Sequence, residues 1–99
     1  MNSRSLTKEE TQEKFLNVIR HNVDYWLNES RIQNTKDKLE GLAFSILSIL
    51  DGCGGSLPAF KVIPMPHPDD KEFLISQGEN YFPDDIDIAT NLHELFLRH

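Results

Sequence analysis

The fold class turns on how one stretch is divided: Phe60-Lys61-Val62-Ile63-Pro64-Met65-Pro66-His67-Pro68-Asp69-Asp70-Lys71-Glu72-Phe73-Leu74-Ile75-Ser76. Phe60 to Ile63 has strand composition. Pro64, Pro66 and Pro68 then remove three backbone donors at alternate positions, so the segment suits an edge strand or an extended crossing. Glu72 to Ser76 reads as a second strand. Gln77-Gly78-Glu79-Asn80 is a turn candidate, and Tyr81-Phe82 is a third short strand.

Helical signals lie on both sides. Thr7-Lys8-Glu9-Glu10 reads as a capping box, with acidic residues in the first turn where the helix dipole favours them. Phe15, Ile19, Val23 and Trp26 follow at helical spacing and predict a helix from about Thr7 to Asn28. A second helix starts near Asn34 or Thr35 and runs through Leu39, Leu42, Ala43, Ile46, Leu47 and Leu50. Gly52 supplies a left-handed cap. The short connection predicts an antiparallel hairpin. Ile88, Leu92, Leu95 and Phe96 share one face, with Asp84, Asp85 and Asp87 at the start and Arg98 at the end, predicting a helix from Asp85 or Asp87 to Leu97. The expected architecture is α+β: an N-terminal antiparallel helix hairpin, a small antiparallel sheet of two to three strands and a C-terminal amphipathic helix. Residues 1–6 are expected to be a frayed tail, and 7–99 one domain.

The chain has 99 residues, of which 38% are hydrophobic, and a net charge of -6. That suits a single modest core and is too apolar for a disordered chain. Residues 1–40 carry seven basic and seven acidic residues, whereas 41–99 carry three and nine. The whole deficit therefore lies in the C-terminal part. Direct nucleic-acid binding and adhesion to anionic membranes both need clustered Lys or Arg, and none is present. Cys53 stands alone, the polar N-terminus leads to the expectation of no signal peptide, and the most apolar run, 41–50, is too short for a membrane span. Cytoplasmic residence is the expectation.

His67-Pro68-Asp69-Asp70 resembles the metal-binding turn of the LmbE-like, or PIG-L-like, zinc-dependent sugar deacetylases. The resemblance covers about four residues. It implies His67 and Asp70 as zinc ligands and Asp69 as the general base that takes a proton from zinc-bound water. Further ligands would come from His93 or His99. Lys71 stands where that family has an acidic residue, and the prolines do not fit the buried strand that precedes the motif there. Without metal, the same letters make a turn: Pro66 and Pro68 stiffen the backbone around His67, while Asp69 and Asp70 accept from backbone amides.

Other candidates are less complete. Asp51-Gly52-Cys53-Gly54-Gly55 follows a helix instead of leading into one, and it lacks the Gly-Lys-Ser/Thr ending of a phosphate loop. Cys53 has no cysteine partner. His93-Glu94 begins like a zincin motif, but Leu97 stands where the second His is required.

The second helix carries an apolar surplus in Phe44, Ile46, Leu47 and Ile49. Trp26, Tyr81 and Phe82 add amphipathic surfaces of the kind enriched at interfaces. These seven residues form the candidate interface of a homodimer or of a complex with another protein. The stretch from Leu39 to Gly52, with Gly78-Glu79-Asn80 and Leu92-His93-Glu94, also resembles short uncharacterised bacterial and prophage proteins. The leading expectation is a non-enzymatic, cytoplasmic interaction protein of that kind, without cofactor. Two alternatives stand beside it. One is a zinc-dependent hydrolase or metal-binding module on His67, Asp69 and Asp70 with His93. The other is an acidic DNA-mimicking decoy.

Overall fold

The structure is a computed structural model that describes residues 3–98. Among the described residues there are four α-helices: α1 Lys8–Asn28, α2 Thr35–Ser48, α3 Asp70–Ser76 and α4 Leu92–Phe96. A π-helical turn, Ile49–Cys53, extends α2.

Both halves of the Thr7 capping box are formed: Glu10 N–H donates to Thr7 Oγ1 at 3.1 Å, and Thr7 N–H donates to Glu10 Oε1 at 2.8 Å. The Arg4 guanidinium donates to both oxygens of Glu10 at 2.7 and 2.8 Å. Arg4 thereby links the irregular segment before α1 to its first turn, while Met1 and Asn2 lie outside the described residues. Asn34 caps α2 by accepting from the Lys36 amide at 2.8 Å.

α1 and α2 pack as an antiparallel hairpin. Trp26 Nε1 donates to Ser45 Oγ at 2.9 Å. At the loop end, Lys38 Nζ donates to the Leu27 carbonyl at 2.8 Å. Gly41 makes this approach possible, since a Cβ there would lie 2.6 Å from the Trp26 ring. At Gly52 the backbone turns with φ +93, a conformation that glycine adopts at little cost.

The expected sheet is absent, which overturns the α+β assignment: among the described residues there is no strand. Phe60 to Ile63 is extended but forms no ladder. The Phe60 amide donates to the Leu50 carbonyl at 3.0 Å, and Ile88 N–H donates to the Val62 carbonyl at 2.7 Å. Val62 N–H is taken by a side chain, Asp87 Oδ1, at 2.8 Å. Pro64, Pro66 and Pro68 have no N–H to continue the pairing. Phe60 docks on α1 through an edge-to-face contact with Phe15, with centroids 5.3 Å apart.

Glu72 to Ser76, expected as a strand, is the body of α3. The turn before it is closed by Asp70 N–H donating to the His67 carbonyl at 3.0 Å. The end is closed by Gly78 at φ +71. There Glu79 N–H donates to Leu74 O at 2.9 Å and Gly78 N–H to Ile75 O at 3.0 Å, a Schellman pair. The expected hairpin turn at Gln77–Asn80 is therefore a helix terminus. Tyr81 and Phe82, expected as a third strand, are irregular and exposed.

The C-terminal helix is shorter than its periodicity predicts. Asp87 Oδ1 accepts the Ala89 amide at 2.9 Å as well as that of Val62, so this carboxylate organises a turn instead of a helix start. Thr90 and Asn91 then take positive φ of 103 and 60, which ends any helix running through them.

α4 packs on α2 and on the π turn, while α3 touches no other described helix. Among the described residues only Ile49, Leu57 and Ala89 are buried apolar side chains. The molecule is a slab of 51 × 48 × 19 Å with a radius of gyration of 17.7 Å. A compact domain of this length has a radius of about 13 Å.

Candidate functional site

His67, Asp69 and Asp70 fold into a local turn on the surface. Asp69 N–H donates to His67 Nδ1 at 3.2 Å, and His67 N–H donates to Asp70 Oδ2 at 3.2 Å. The imidazole Nδ1 and the Asp69 carboxylate are 3.8 Å apart, with side chains 68% and 88% exposed. His93 is held elsewhere, by Asp51. No group of three or more His, Cys, Asp or Glu side chains is arranged to hold a metal ion among the described residues. His99 lies outside them.

A part-buried polar cluster around Asp51 is one that the sequence did not signal. Asp51, at the π turn, has a side chain only 3% exposed. Its Oδ1 accepts the Thr90 amide at 3.0 Å, and its Oδ2 accepts the His93 amide at 2.9 Å. His93 Nδ1 lies 2.5 Å from the same Oδ2. Burial alone would push the Asp51 carboxyl up. Donation from the His93 amide and ring and from the Leu92 and Thr90 amides outweighs it and holds the group at about 2. An ionised carboxylate only accepts, so the ring nitrogen donates. Asp51 thus caps α4 from a distant part of the chain and satisfies donors that its own Asn91, at positive φ, leaves open.

An Asp–His pair of this geometry is also the orienting half of a nucleophilic triad. The imidazole here makes an edge-to-face contact with Phe44, with ring centroids 5.5 Å apart. Among the described residues no serine, threonine or cysteine is hydrogen-bonded to that ring. The pair acts as a clasp between the π turn and α4. Cys53 is exposed and free.

The remaining candidates are apolar surfaces. Ile49 is spent inside the chain at 3% exposure, whereas Phe44, Ile46 and Leu47 are half-buried. Between α1 and α2, near their connection, Val23, Trp26, Leu27, Leu39 and Leu42 line a groove of about 360 Å³. Leu27 and Leu39 there are 67% and 62% exposed. Beside α3, Pro66, Phe73, Leu74, Tyr81 and Phe82 line a second slot of about 280 Å³. Phe73 is an exposed apolar residue that the strand reading of its segment had hidden; as part of a helix, its spacing from Tyr81 and Phe82 could not be read from the sequence.

Comparison with protein-family models, with curated proteins and with solved structures found no match. Among the described residues no helix is long and apolar enough to cross a membrane.

Proposed function

We propose that this chain is a non-enzymatic interaction protein of the cytoplasm that works as a homodimer. One observation carries the reading. The chain exposes 8163 Å², whereas a folded monomer of 11.4 kDa exposes about 5,800 Å². The surplus is about 2,400 Å² per chain. Two chains together carry about 4,800 Å² of surplus, and obligate homodimers bury roughly 2,000–5,000 Å² in total over both partners, so the surplus falls in the upper part of that range.

The groove between α1 and α2 is the surface best suited to a second copy. Its exposed Leu27 and Leu39 stand on a half of the chain whose charges balance. Isologous pairing brings each charge near its own copy, and a balanced surface tolerates that. The absence of a cysteine pair is compatible with a reducing compartment.

Light scattering coupled to size exclusion tests the reading. The expected mass is twice 11.4 kDa. A Leu39→Glu variant places a charge on an exposed position and is expected to yield a folded monomer, since surface substitutions change monomer stability by only about 0.5 kcal/mol. A parent protein that stays monomeric at high micromolar concentration overturns it.

A further inference from the structure

We infer that the slot beside α3 docks a basic segment of another protein, one that places a bulky apolar side chain between flanking Lys or Arg residues. This goes beyond homodimerisation and uses a different face.

The first observation is an unpartnered apolar platform. α3 packs on no other described helix. Phe73 and Phe82 are 61% and 73% exposed, and Tyr81 is 46% exposed. They surround a slot of about 280 Å³, room for one large side chain. The backbone around it is set by Pro66 and Pro68 before α3 and by the Gly78 terminus after it, so little order is lost on docking.

The second observation is charge. Residues 66–85 carry six acidic residues, Asp69, Asp70, Glu72, Glu79, Asp84 and Asp85, against a single Lys71. Lys71 is already seated over the Tyr81 ring, with Nζ 4.9 Å from its centroid. A second copy of the chain would bring this excess against itself, which is repulsive across a two-fold interface. Of these charges Asp70 and Lys71 line the slot itself, and Lys71 is engaged by the Tyr81 ring. A neutral apolar partner would leave the net negative charge of this segment unmatched, whereas a cationic segment with an apolar anchor satisfies both the slot and that charge, whose field steers its approach.

The test uses the full chain and three fluorescein-labelled peptides of equal length: one of Leu and Lys, one of Leu and Glu, and an oligolysine. Binding is followed by anisotropy. The Leu/Lys peptide is expected to bind saturably and to weaken as salt rises. Phe73→Ala with Phe82→Ala should weaken it by about tenfold or more. These side chains are exposed and α3 is unpacked, so helical content and oligomer mass should be unchanged; both are measured on the same samples. Three results would each overturn the proposal. The Leu/Lys peptide could fail to bind at concentrations up to about 1 mM. It could bind the double variant as tightly as the parent. Oligolysine or the Leu/Glu peptide could bind as tightly as Leu/Lys. Light scattering reads dimerisation separately, so loss of one conclusion is distinguishable from loss of the other.

Discussion

The Asp51 carboxylate holds His93 twice, through the backbone amide at 2.9 Å and through ring Nδ1 at 2.5 Å, across 42 positions of sequence. The Thr90 amide adds a third contact at 3.0 Å. The C-terminal helix is therefore anchored by a residue that does not belong to it. Strain at Thr90, a β-branched residue at φ 103, persists because these contacts over-determine it.

Asp51→Ala should release α4. It leaves the part-buried His93 amide without its acceptor, while the exposed Thr90 amide can turn to water; an unsatisfied buried donor costs about 1–3 kcal/mol. Urea denaturation should show a loss of that order, and amide exchange in α4 should accelerate more than in α1. Asp51→Asn, which keeps one acceptor oxygen, should lie between the two. An unchanged midpoint for Asp51→Ala would remove the clasp from the account of stability.

Acid should destabilise the protein in a defined window. Asp51 is held at about 2, against an ordinary 3.8, with burial opposed by its amide and ring donors. Glu10 is held at about 2, first by Arg4, and Glu29 at about 2, first by Arg31, both against 4.5. A carboxylate depressed on folding contributes its stability above the unfolded value and loses it as pH falls toward the folded one. The urea midpoint should be level above about pH 5 and fall between about 4.5 and 2. Added salt should shrink the share of Glu10, whose side chain is 40% exposed, more than those of Glu29 and Asp51, which are 11% and 3% exposed. The decline should be shallower in Asp51→Asn.

Gly41→Ala sets two effects against each other. Alanine is about 1 kcal/mol better than glycine in a helix interior. Its Cβ would meet the Trp26 ring at 2.6 Å, and overpacking costs about 1–3 kcal/mol. The contact should win, so the variant melts lower and its Trp26 emission shifts as the ring is displaced from Ser45. A variant more stable than the parent would show that the ring can move aside freely.

Gly78→Ala isolates a backbone effect. Nothing lies within 4 Å of the added Cβ, but φ is +71. The left-handed conformation costs an L residue about 1–2 kcal/mol. α3 should fray, seen as faster exchange of the Gln77 to Glu79 amides, while α1 and α2 remain protected.

The two long helices were legible because their signals are local. Thr7 with Glu10, Asn34, and the spacing of Phe15, Ile19, Val23 and Trp26 lie within a turn or two of what they control. The sequence does not separate α3 from a strand, because Phe73, Leu74 and Ile75 have strand composition, while Asp69, Asp70 and the helix-ending Gly78 are equally turn residues. The last helix was overextended because the periodicity of Ile88, Leu92 and Leu95 cannot reveal that Asp87 captures the Val62 amide. The Asp51 clasp had no sequence signal, since its partners are brought together only by the fold. Tyr81 and Phe82 were visible as exposed aromatics; Phe73 beside them was not.

The anchoring of α4 by Asp51 also orders events in time. A helix of five residues, Leu92–Phe96, is far below the length that sustains itself in water. It has no stable existence until the π turn at the end of α2 presents the carboxylate. That turn depends in turn on the hairpin, whose contacts are short-range and close quickly. Folding therefore proceeds from the hairpin outward, with a loop of some 40 residues closing last against its entropy. In refolding experiments, protection of the His93 amide should be the latest signal to arrive, and it marks the moment at which the chain becomes native.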